Sequence, residues 1–200
     1  MENILSFSLP IYITLFFGLA LFLPSYRVWK STGVNPYKFR STDSAHDYVG
    51  KNFRFVLIAC ALVVMVFSFL PDIYPFLLPI PVLADSAFKI IGQFLLFIAL
   101  IWVLTAQIHM QRSWRIGIDE TEKTELIQSG LFRFSRNPIF LGMRLMLFGL
   151  FLILPTAATL PILILGEILT QTQVRLEEEF LTRVHGETYL AYKKQVRRWI

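Results

Sequence analysis

The chain has 200 residues, of which 55% are apolar and only 16% are charged, and its mean hydropathy is +0.57. This balance excludes an ordinary soluble domain and predicts an all-α, multispanning membrane helical bundle. The net charge of +5 does not indicate nucleic-acid binding, because the basic residues lie in short segments beside apolar runs. A single cysteine, Cys60, excludes a disulfide framework.

Five apolar runs predict five transmembrane helices, at about residues 7–24, 53–71, 87–108, 138–155 and 157–175. Prolines lie at or near the proposed ends, where a missing backbone donor costs least: Pro24, Pro71, Pro155 and Pro161. The start of the chain carries no basic segment before the first run, which predicts a retained span rather than a cleaved signal.

The basic residues predict the orientation of these spans. Of the 19 Lys and Arg residues, 17 lie after the first span, after the third span or in the tail, whereas Lys89 lies on the opposite side and Arg144 inside a span. The positive-inside rule then places the N-terminus outside and the C-terminus in the cytoplasm. We expect a multi-pass protein of a bacterial-type inner membrane, with the endoplasmic reticulum as the alternative.

Two polar motifs flank the hairpin formed by the last two predicted spans. Residues 135–142 read Ser-Arg-Asn-Pro-Ile-Phe-Leu-Gly, and residues 175–180 read Arg-Leu-Glu-Glu-Glu-Phe. An antiparallel hairpin returns both motifs to one membrane face, where they can share a pocket. Asn137 before Pro138 is also a good helix start in its own right. The functional alternative is that Arg136 and the free helix-start N–H groups bind an anion or polar ligand.

Two charged residues lie inside the predicted hairpin. Arg144 is about 9 Å along the fourth span from its start, and Glu167 is about 12 Å before Arg175 on the fifth, at the helical rise per residue. Their matching depths predict an ion pair between the helices, with snorkelling of Arg144 to the headgroups as the alternative. His46, His109 and His185 have no metal-ligand spacing, so we predict no metal site.

The order of motifs in the last half of the chain is that of a known family. Its signature resembles Gly-x-Tyr-x-x-x-Arg-His-Pro-x-Tyr-x-Gly, then Arg-x-Glu-Glu, then Phe-Gly-x-x-Tyr-x-x-Tyr, and counterparts stand at residues 130–142, 175–178 and 185–192. About residues 90–200 therefore resemble the integral-membrane methyltransferases of the isoprenylcysteine carboxyl methyltransferase and phospholipid methyltransferase superfamily. We accordingly divide the chain into a two-span N-terminal segment, 1–85, and a methyltransferase-like core, 86–200.

The resemblance implies that S-adenosyl-L-methionine binds in a pocket at the cytoplasmic face. Carried over, the cofactor-binding residues are Thr124, Glu125, Leu126, Ile127, Phe132, Asn137, Pro138, Ile139, Phe140, Glu177 and Glu178. A carboxylate suits the amino or ribose groups of this cofactor, and helix-start amides suit its carboxylate. The acceptor would be a small lipophilic or lipid-like molecule that enters from the bilayer, so the partners are this substrate and membrane lipids.

Two positions depart from the family pattern. Asn137 replaces the usual His, which removes a titratable group from the site. Gln173 stands where prenylcysteine enzymes resemble one another in having an Arg for the substrate carboxylate; Arg175 or Arg144 would have to replace it. We therefore take Arg144, Glu167 and Arg175 as candidate catalytic residues. The alternatives to a methyltransferase are an NADPH-dependent membrane reductase of the sterol-reductase-like type and a non-enzymatic membrane scaffold.

Overall fold

A computed structural model describes residues 2–33, 35, 37, 44–110, 114, 116–117 and 125–200. Within these ranges the chain is helical and has no β-strand. A π-helical turn, Gly18–Phe22, joins the first two of seven α-helices. The helices are α1 (Glu2–Phe17), α2 (Leu23–Thr32), α3 (Ala45–Phe69), α4 (Ser86–Met110), α5 (Pro138–Ile153), α6 (Thr159–His185) and α7 (Glu187–Gln195).

Three helical segments of the described chain are long and apolar enough to cross a membrane: the continuous segment Glu2–Thr32, α3 and α4. Helix α5 is equally apolar but has only 16 residues. Helix α6 contains the fifth predicted span in its first half and becomes polar from Glu167 onward. The predicted all-α membrane bundle is confirmed.

The first helix is longer than the predicted span 7–24, because it continues past Pro24 to Thr32. Pro24 has no N–H to donate to the Ala20 carbonyl oxygen, its partner in a regular α-helix. The backbone widens into the π-helical turn just before this proline, and Leu23 N–H donates to the Gly18 carbonyl oxygen. The side-chain amide of Gln107, on α4, donates to the Ala20 carbonyl oxygen instead. A neighbouring helix therefore supplies the missing donor.

Helices α4 and α5 pack with their backbones in close approach. A Cβ atom added to Gly92 would lie 2.6 Å from the Gly149 carbonyl oxygen, and one added to Gly149 would lie 2.9 Å from the Gly92 carbonyl oxygen. Further along, a Cβ on Gly142 would lie 2.4 Å from Val103 Cγ2. Small residues permit such an approach. Gly142 therefore allows helix α4 to approach α5 closely.

The hairpin between α5 and α6 turns through a buried hydroxyl network. Thr159 N–H donates to Thr156 Oγ1 at 3.0 Å, Thr156 N–H donates to Thr159 Oγ1 at 2.9 Å, and Thr159 Oγ1 donates to the Leu154 carbonyl oxygen at 2.6 Å. The loop after α3 covers this turn, with backbone hydrogen bonds at Ile80 and Ala157. At the opposite end of the hairpin, the start of α5 and the second half of α6 come together.

We expect Gly92→Ala to destabilise the protein, since its new methyl group meets the Gly149 backbone, which cannot rotate away. Overpacking of this kind costs about 1–3 kcal/mol. Gly18→Ala is the matched control, because nothing lies within 4 Å of its new methyl group. Thermal unfolding in detergent should give a lower melting temperature for Gly92→Ala than for Gly18→Ala. Equal melting temperatures would contradict the close approach of α4 and α5.

Candidate active site

A cavity of about 430 Å³ lies where α4, the start of α5, the second half of α6 and helix α7 meet the N-terminal helices. Its volume is within the range of small-molecule binding sites. Its lining is mostly apolar, with a few polar side chains among hydrophobic and aromatic ones. The two sides of the cavity differ in composition and are described in turn.

The start of α5 forms one side of the cavity. The first bond within this helix runs from Leu141 N–H to the Asn137 carbonyl oxygen at 3.0 Å, so the N–H groups of Ile139 and Phe140 precede it. Trp102 Nε1 donates to the Pro138 carbonyl oxygen at 3.0 Å and fixes this turn against α4. Asn137 does not cap the helix with its side chain. Asn137 thus occupies the N-cap position and Pro138 begins the helix, but the alternative reading of Asn137 as a side-chain cap is not supported.

A buried carboxylate, Glu178, holds the polar side of the cavity together. Glu178 Oε1 accepts from Arg136 at 2.9 Å, from Asn137 at 3.2 Å and from Arg198 Nε at 3.1 Å, and its Oε2 accepts from Arg198 at 2.8 Å. The Glu178 side chain is 4% exposed. Burial by itself would raise the pKa of this carboxyl, but the hydrogen bonds from Arg198 and Arg136 hold the pKa below its usual value.

The C-terminal segment is tied to the same group. The Arg136 guanidinium donates to the Val196 carbonyl oxygen, and Arg136 N–H donates to the Arg197 carbonyl oxygen at 2.9 Å. Ser135 Oγ donates to the Arg198 carbonyl oxygen at 3.1 Å. The residues around Glu178 thus join the start of α5, the middle of α6 and the end of the chain. We call Glu178 with Arg136, Asn137 and Arg198 the Glu178 cluster.

Glu177, the next residue, lines the cavity. Its Oε1 accepts from Gln173 Nε2 at 3.0 Å, and the same amide lies 3.1 Å from His46 Nδ1 on α3. Burial raises the pKa of Glu177 to about 7, although the Gln173 hydrogen bond opposes this effect. Glu177 therefore changes its charge near neutral pH, whereas Glu178 remains ionised.

Helix α7 closes the polar side with two tyrosines. Tyr192 Oη donates to the Phe132 carbonyl oxygen at 2.6 Å, and the rings of Tyr189 and Tyr192 lie 5.9 Å apart. Burial raises the pKa of Tyr192 to about 12, so its hydroxyl remains a donor. This contact holds the segment Gly130–Arg133, and with it Phe132, against the cavity.

The opposite side of the cavity is apolar and belongs to the N-terminal helices. The lining residues of α1, the π-helical turn and α3 include Phe16, Ala20, Leu21, Val49 and Phe53. Arg54 and Leu57 stand at the edge, where they also line a separate apolar groove between α1 and α3. A long hydrocarbon chain has room along this groove.

The structure brings most of the predicted cofactor-binding residues to this cavity. Its lining includes Glu125, Leu126, Ile127, Phe132, Asn137, Pro138, Ile139, Phe140 and Glu177. Thr124 lies outside the described residues. Glu178 lies behind the lining, with both of its oxygens already bonded within the Glu178 cluster. Its predicted role in cofactor binding has no support from this geometry.

The three predicted catalytic residues lie outside the cavity lining. The ion pair predicted between the two helices is confirmed, because Arg144 Nε lies 2.7 Å from Glu167 Oε2. Gln171 links Glu167 to Arg175 through its side-chain amide, and the Trp199 ring centroid lies 4.4 Å from Arg144. These residues join α5, α6 and the tail. Because they lie outside the cavity lining, they are not placed to contact a ligand in the cavity.

Sequence reasoning missed two groups at this site. Gln107 belongs to no motif. The only signal for it in the sequence is Pro24 on the facing helix, which leaves the Ala20 carbonyl oxygen without its backbone donor. Tyr189 and Tyr192 belong to the family signature but are absent from the predicted binding residues, and both are buried and line the cavity. Their spacing of three residues on one helix face, in a segment otherwise rich in charge, was the available signal.

We expect Glu178→Gln to lower the free energy of unfolding by about 3 kcal/mol at pH 7, because it leaves Arg136 buried without its counter-charge. The folded-state pKa of Glu178 is depressed, so its contribution is complete above the ordinary value of 4.5 and is lost as the pH falls through the lower folded-state value. The difference from wild type should therefore shrink in acid. Glu179→Gln, at an exposed position, is the control and should be neutral. A difference that stays constant down to acidic pH would contradict this account.

The comparison with known proteins agrees with the motif order. The family model for phospholipid methyltransferases matches residues 88–188, from the first turn of α4 into α7. None of the curated proteins is significantly similar to the chain. The matched residues include the cavity side formed by α5 and α6, and they exclude α1 to α3 and the two tyrosines of α7. The chain belongs to the phospholipid methyltransferase family, within the isoprenylcysteine and phospholipid methyltransferase superfamily, whose members are membrane methyltransferases.

Proposed function

We propose that the protein transfers a methyl group from S-adenosyl-L-methionine to a small lipophilic or lipid-like acceptor, and that both bind in this cavity. The observation that carries the proposal is Glu177, a carboxylate that lines the same mostly apolar cavity as the first turn of α5, whose N–H groups precede the first helical hydrogen bond. The cofactor would occupy the polar side, and the acceptor the apolar side. The resemblance to isoprenylcysteine methyltransferases supports the proposed cofactor more than it supports the proposed acceptor.

The residues on the polar side suit this cofactor. The Glu177 carboxylate matches an ammonium or ribose hydroxyl group, and the N–H groups of Ile139 and Phe140 match a carboxylate. Phe132 and Phe140 offer aromatic surface to a nucleobase. The cofactor supplies a methyl group on a positively charged sulfur. Transfer would form a bond from the acceptor's nucleophilic atom to the methyl carbon and break the methyl–sulfur bond, which would leave a thioether, with any displaced proton passing to solvent.

The chain contributes mainly alignment and exclusion of water. Asn137 is held by Glu178 and carries no titratable group, so it does not act as a base at the position where relatives have His. Holding the acceptor in line with the methyl group in an apolar cavity is sufficient to provide much of the rate enhancement. We further propose that the cavity opens toward the cytoplasm, as the distribution of basic residues predicts. A catalytic part for Arg144, Glu167 or Arg175 would be indirect, through the position of α6 and the tail.

Calorimetric titration of the detergent-purified protein tests the cofactor. S-adenosylmethionine and S-adenosylhomocysteine are expected to bind, and NADPH is not. Glu177→Ala should abolish binding of both sulfur nucleosides, while Glu179→Ala, two residues away and exposed, should leave it unchanged. Binding of NADPH alone would overturn the proposal in favour of a reductase, and binding of none of the three would favour a scaffold. Equal effects of the two substitutions would refute the role of Glu177.

The pKa of Glu177 makes cofactor affinity depend on pH. Because burial raises this pKa to about 7, the carboxylate is mostly neutral at pH 6 and mostly ionised at pH 8. An ammonium or ribose hydroxyl prefers the ionised form, so S-adenosylhomocysteine should bind about tenfold more weakly at pH 6 than at pH 8. The isosteric variant Glu177→Gln should bind weakly at both values. A wild-type affinity independent of pH over this range would contradict the assignment.

A further inference from the structure

A group of charged and polar side chains on the hairpin of α5 and α6 lies outside the cavity lining and is partly exposed. Arg144 Nε donates to Glu167 Oε2 at 2.7 Å, and Gln171 Nε2 donates to Glu167 Oε1 at 2.8 Å. Arg175 Nη1 donates to Gln171 Oε1 at 3.0 Å. The side chains of Arg144 and Glu167 are 30% and 38% exposed. We call these four residues the Arg144–Arg175 patch.

The patch has more hydrogen-bond donors than acceptors. Both oxygens of Glu167 are occupied, one by Arg144 and the other by Gln171. In contrast, Nη1 and Nη2 of Arg144 and Nε and Nη2 of Arg175 have no acceptor among the described residues. Two guanidinium groups share one carboxylate, so the patch carries a net positive charge. An anion with several oxygens would satisfy the remaining donors.

An apolar stripe leads along α6 to this patch. Ile164, Ile168, Gln171 and Arg175 follow i, i+4, i+7, i+11 spacing and therefore share one helix face. Ile164 is 52% exposed and Ile168 is 56% exposed. From Ile164 to Arg175 the helix rises about 16 Å, close to the roughly 15 Å of hydrocarbon in one leaflet of a bilayer. This face thus has the length and the polarity of a membrane lipid, apolar along most of its course and cationic at one end.

Trp199 closes the patch on the side of the C-terminal tail. Its ring centroid lies 4.4 Å from Arg144 Cζ, within the range of a cation–π contact. Tryptophan is enriched at the depth of the lipid headgroups, because its ring is apolar and its N–H is polar. The preceding residue, Arg198, bonds to Glu178. The patch therefore adjoins the tail segment that is tied to the Glu178 cluster, and its occupancy should affect the stability of the fold.

We propose that the Arg144–Arg175 patch binds the phosphate group of an anionic membrane lipid, with an acyl chain of that lipid along Ile164 and Ile168. The bound lipid is not the methyl acceptor, because the patch is separate from the cavity. The inference therefore does not rest on the proposed function. The phosphate oxygens accept from the guanidinium N–H groups that have no acceptor within the patch.

The composition of the patch favours an anionic lipid over two related ligands. A zwitterionic lipid would bring its ammonium group beside two cations, and both oxygens of Glu167 are already bonded. Inorganic phosphate would pair with the guanidinium groups but would leave the exposed stripe of Ile164 and Ile168 without a partner. Only a lipid with an uncompensated phosphate charge matches both parts of this surface.

Three probes test the proposal: dioleoylphosphatidylglycerol, dioleoylphosphatidylcholine and inorganic phosphate. The two lipids have the same acyl chains and differ in whether the phosphate charge is compensated. Each probe is titrated into the detergent-purified protein, and the melting temperature is measured. Phosphatidylglycerol should raise the melting temperature by several degrees, and the other two should not. Equal stabilisation by phosphatidylcholine or by inorganic phosphate, or no stabilisation by phosphatidylglycerol, would overturn the proposal.

Substitutions separate binding at the patch from general attraction to a basic protein. Arg144→Gln/Glu167→Gln removes both members of the ion pair and leaves the net charge unchanged, so it should lose most of the response to phosphatidylglycerol. Arg175→Gln keeps that pair and should weaken the response. Arg27→Gln, at an exposed position on α2, removes the same charge as Arg175→Gln and is the matched control. Its response should equal that of the wild type. Equal responses of Arg175→Gln and Arg27→Gln would contradict the proposed site.

Native mass spectrometry gives a readout that does not depend on a change in stability. The wild-type protein and Arg27→Gln should retain a bound phosphatidylglycerol molecule after release from the detergent micelle, and Arg144→Gln/Glu167→Gln should not. Retention of the lipid by this double variant would overturn the proposal. The result is independent of the titration with S-adenosylhomocysteine, so failure of the lipid site and failure of the proposed function are distinguishable.

Discussion

The active-site cavity depends on one buried charge. Glu178 draws Arg136 from the start of α5 and Arg198 from the end of the chain onto a single carboxylate, and Asn137 adds a third donor. These donors come from segments separated by about sixty residues. A carboxylate that is removed from water requires all of these partners. The pairing of this buried charge with its donors therefore brings together the segments that form the polar side of the cavity.

The two sides of the cavity have different origins in the sequence. The polar residues on α5 and α6 lie within the region that the family model matches, whereas Arg198 and the α7 tyrosines follow it and much of the apolar side comes from α1 and α3, which precede it. In this arrangement the same cofactor-binding core can work with different N-terminal helices. Under the proposed function, the helices outside the matched region are the ones that would contact the acceptor, so the family match bears on the methyl donor more than on the acceptor.

The sequence predicted the helices, the meeting of the two polar motifs and the Arg144–Glu167 pair, because each follows from apolar runs and helical rise. It did not distinguish Glu177 from Glu178. Adjacent residues on a helix point about 100° apart, and only the packing of α6 decides which one faces the cavity. It also missed the partnership of Pro24 with Gln107, since a donor more than eighty residues away leaves no local pattern. Tertiary contacts decided both.

Helix α6 carries Glu167 and Glu177 on one uninterrupted segment, with its proline confined to the first turn. Its 27 residues extend about 40 Å, more than the roughly 30 Å of bilayer hydrocarbon. Because no break follows its first turn, Glu167 and Glu177 move together as parts of one rod, and a change in the tilt of α6 that displaces its apolar half also displaces Glu177 relative to α5.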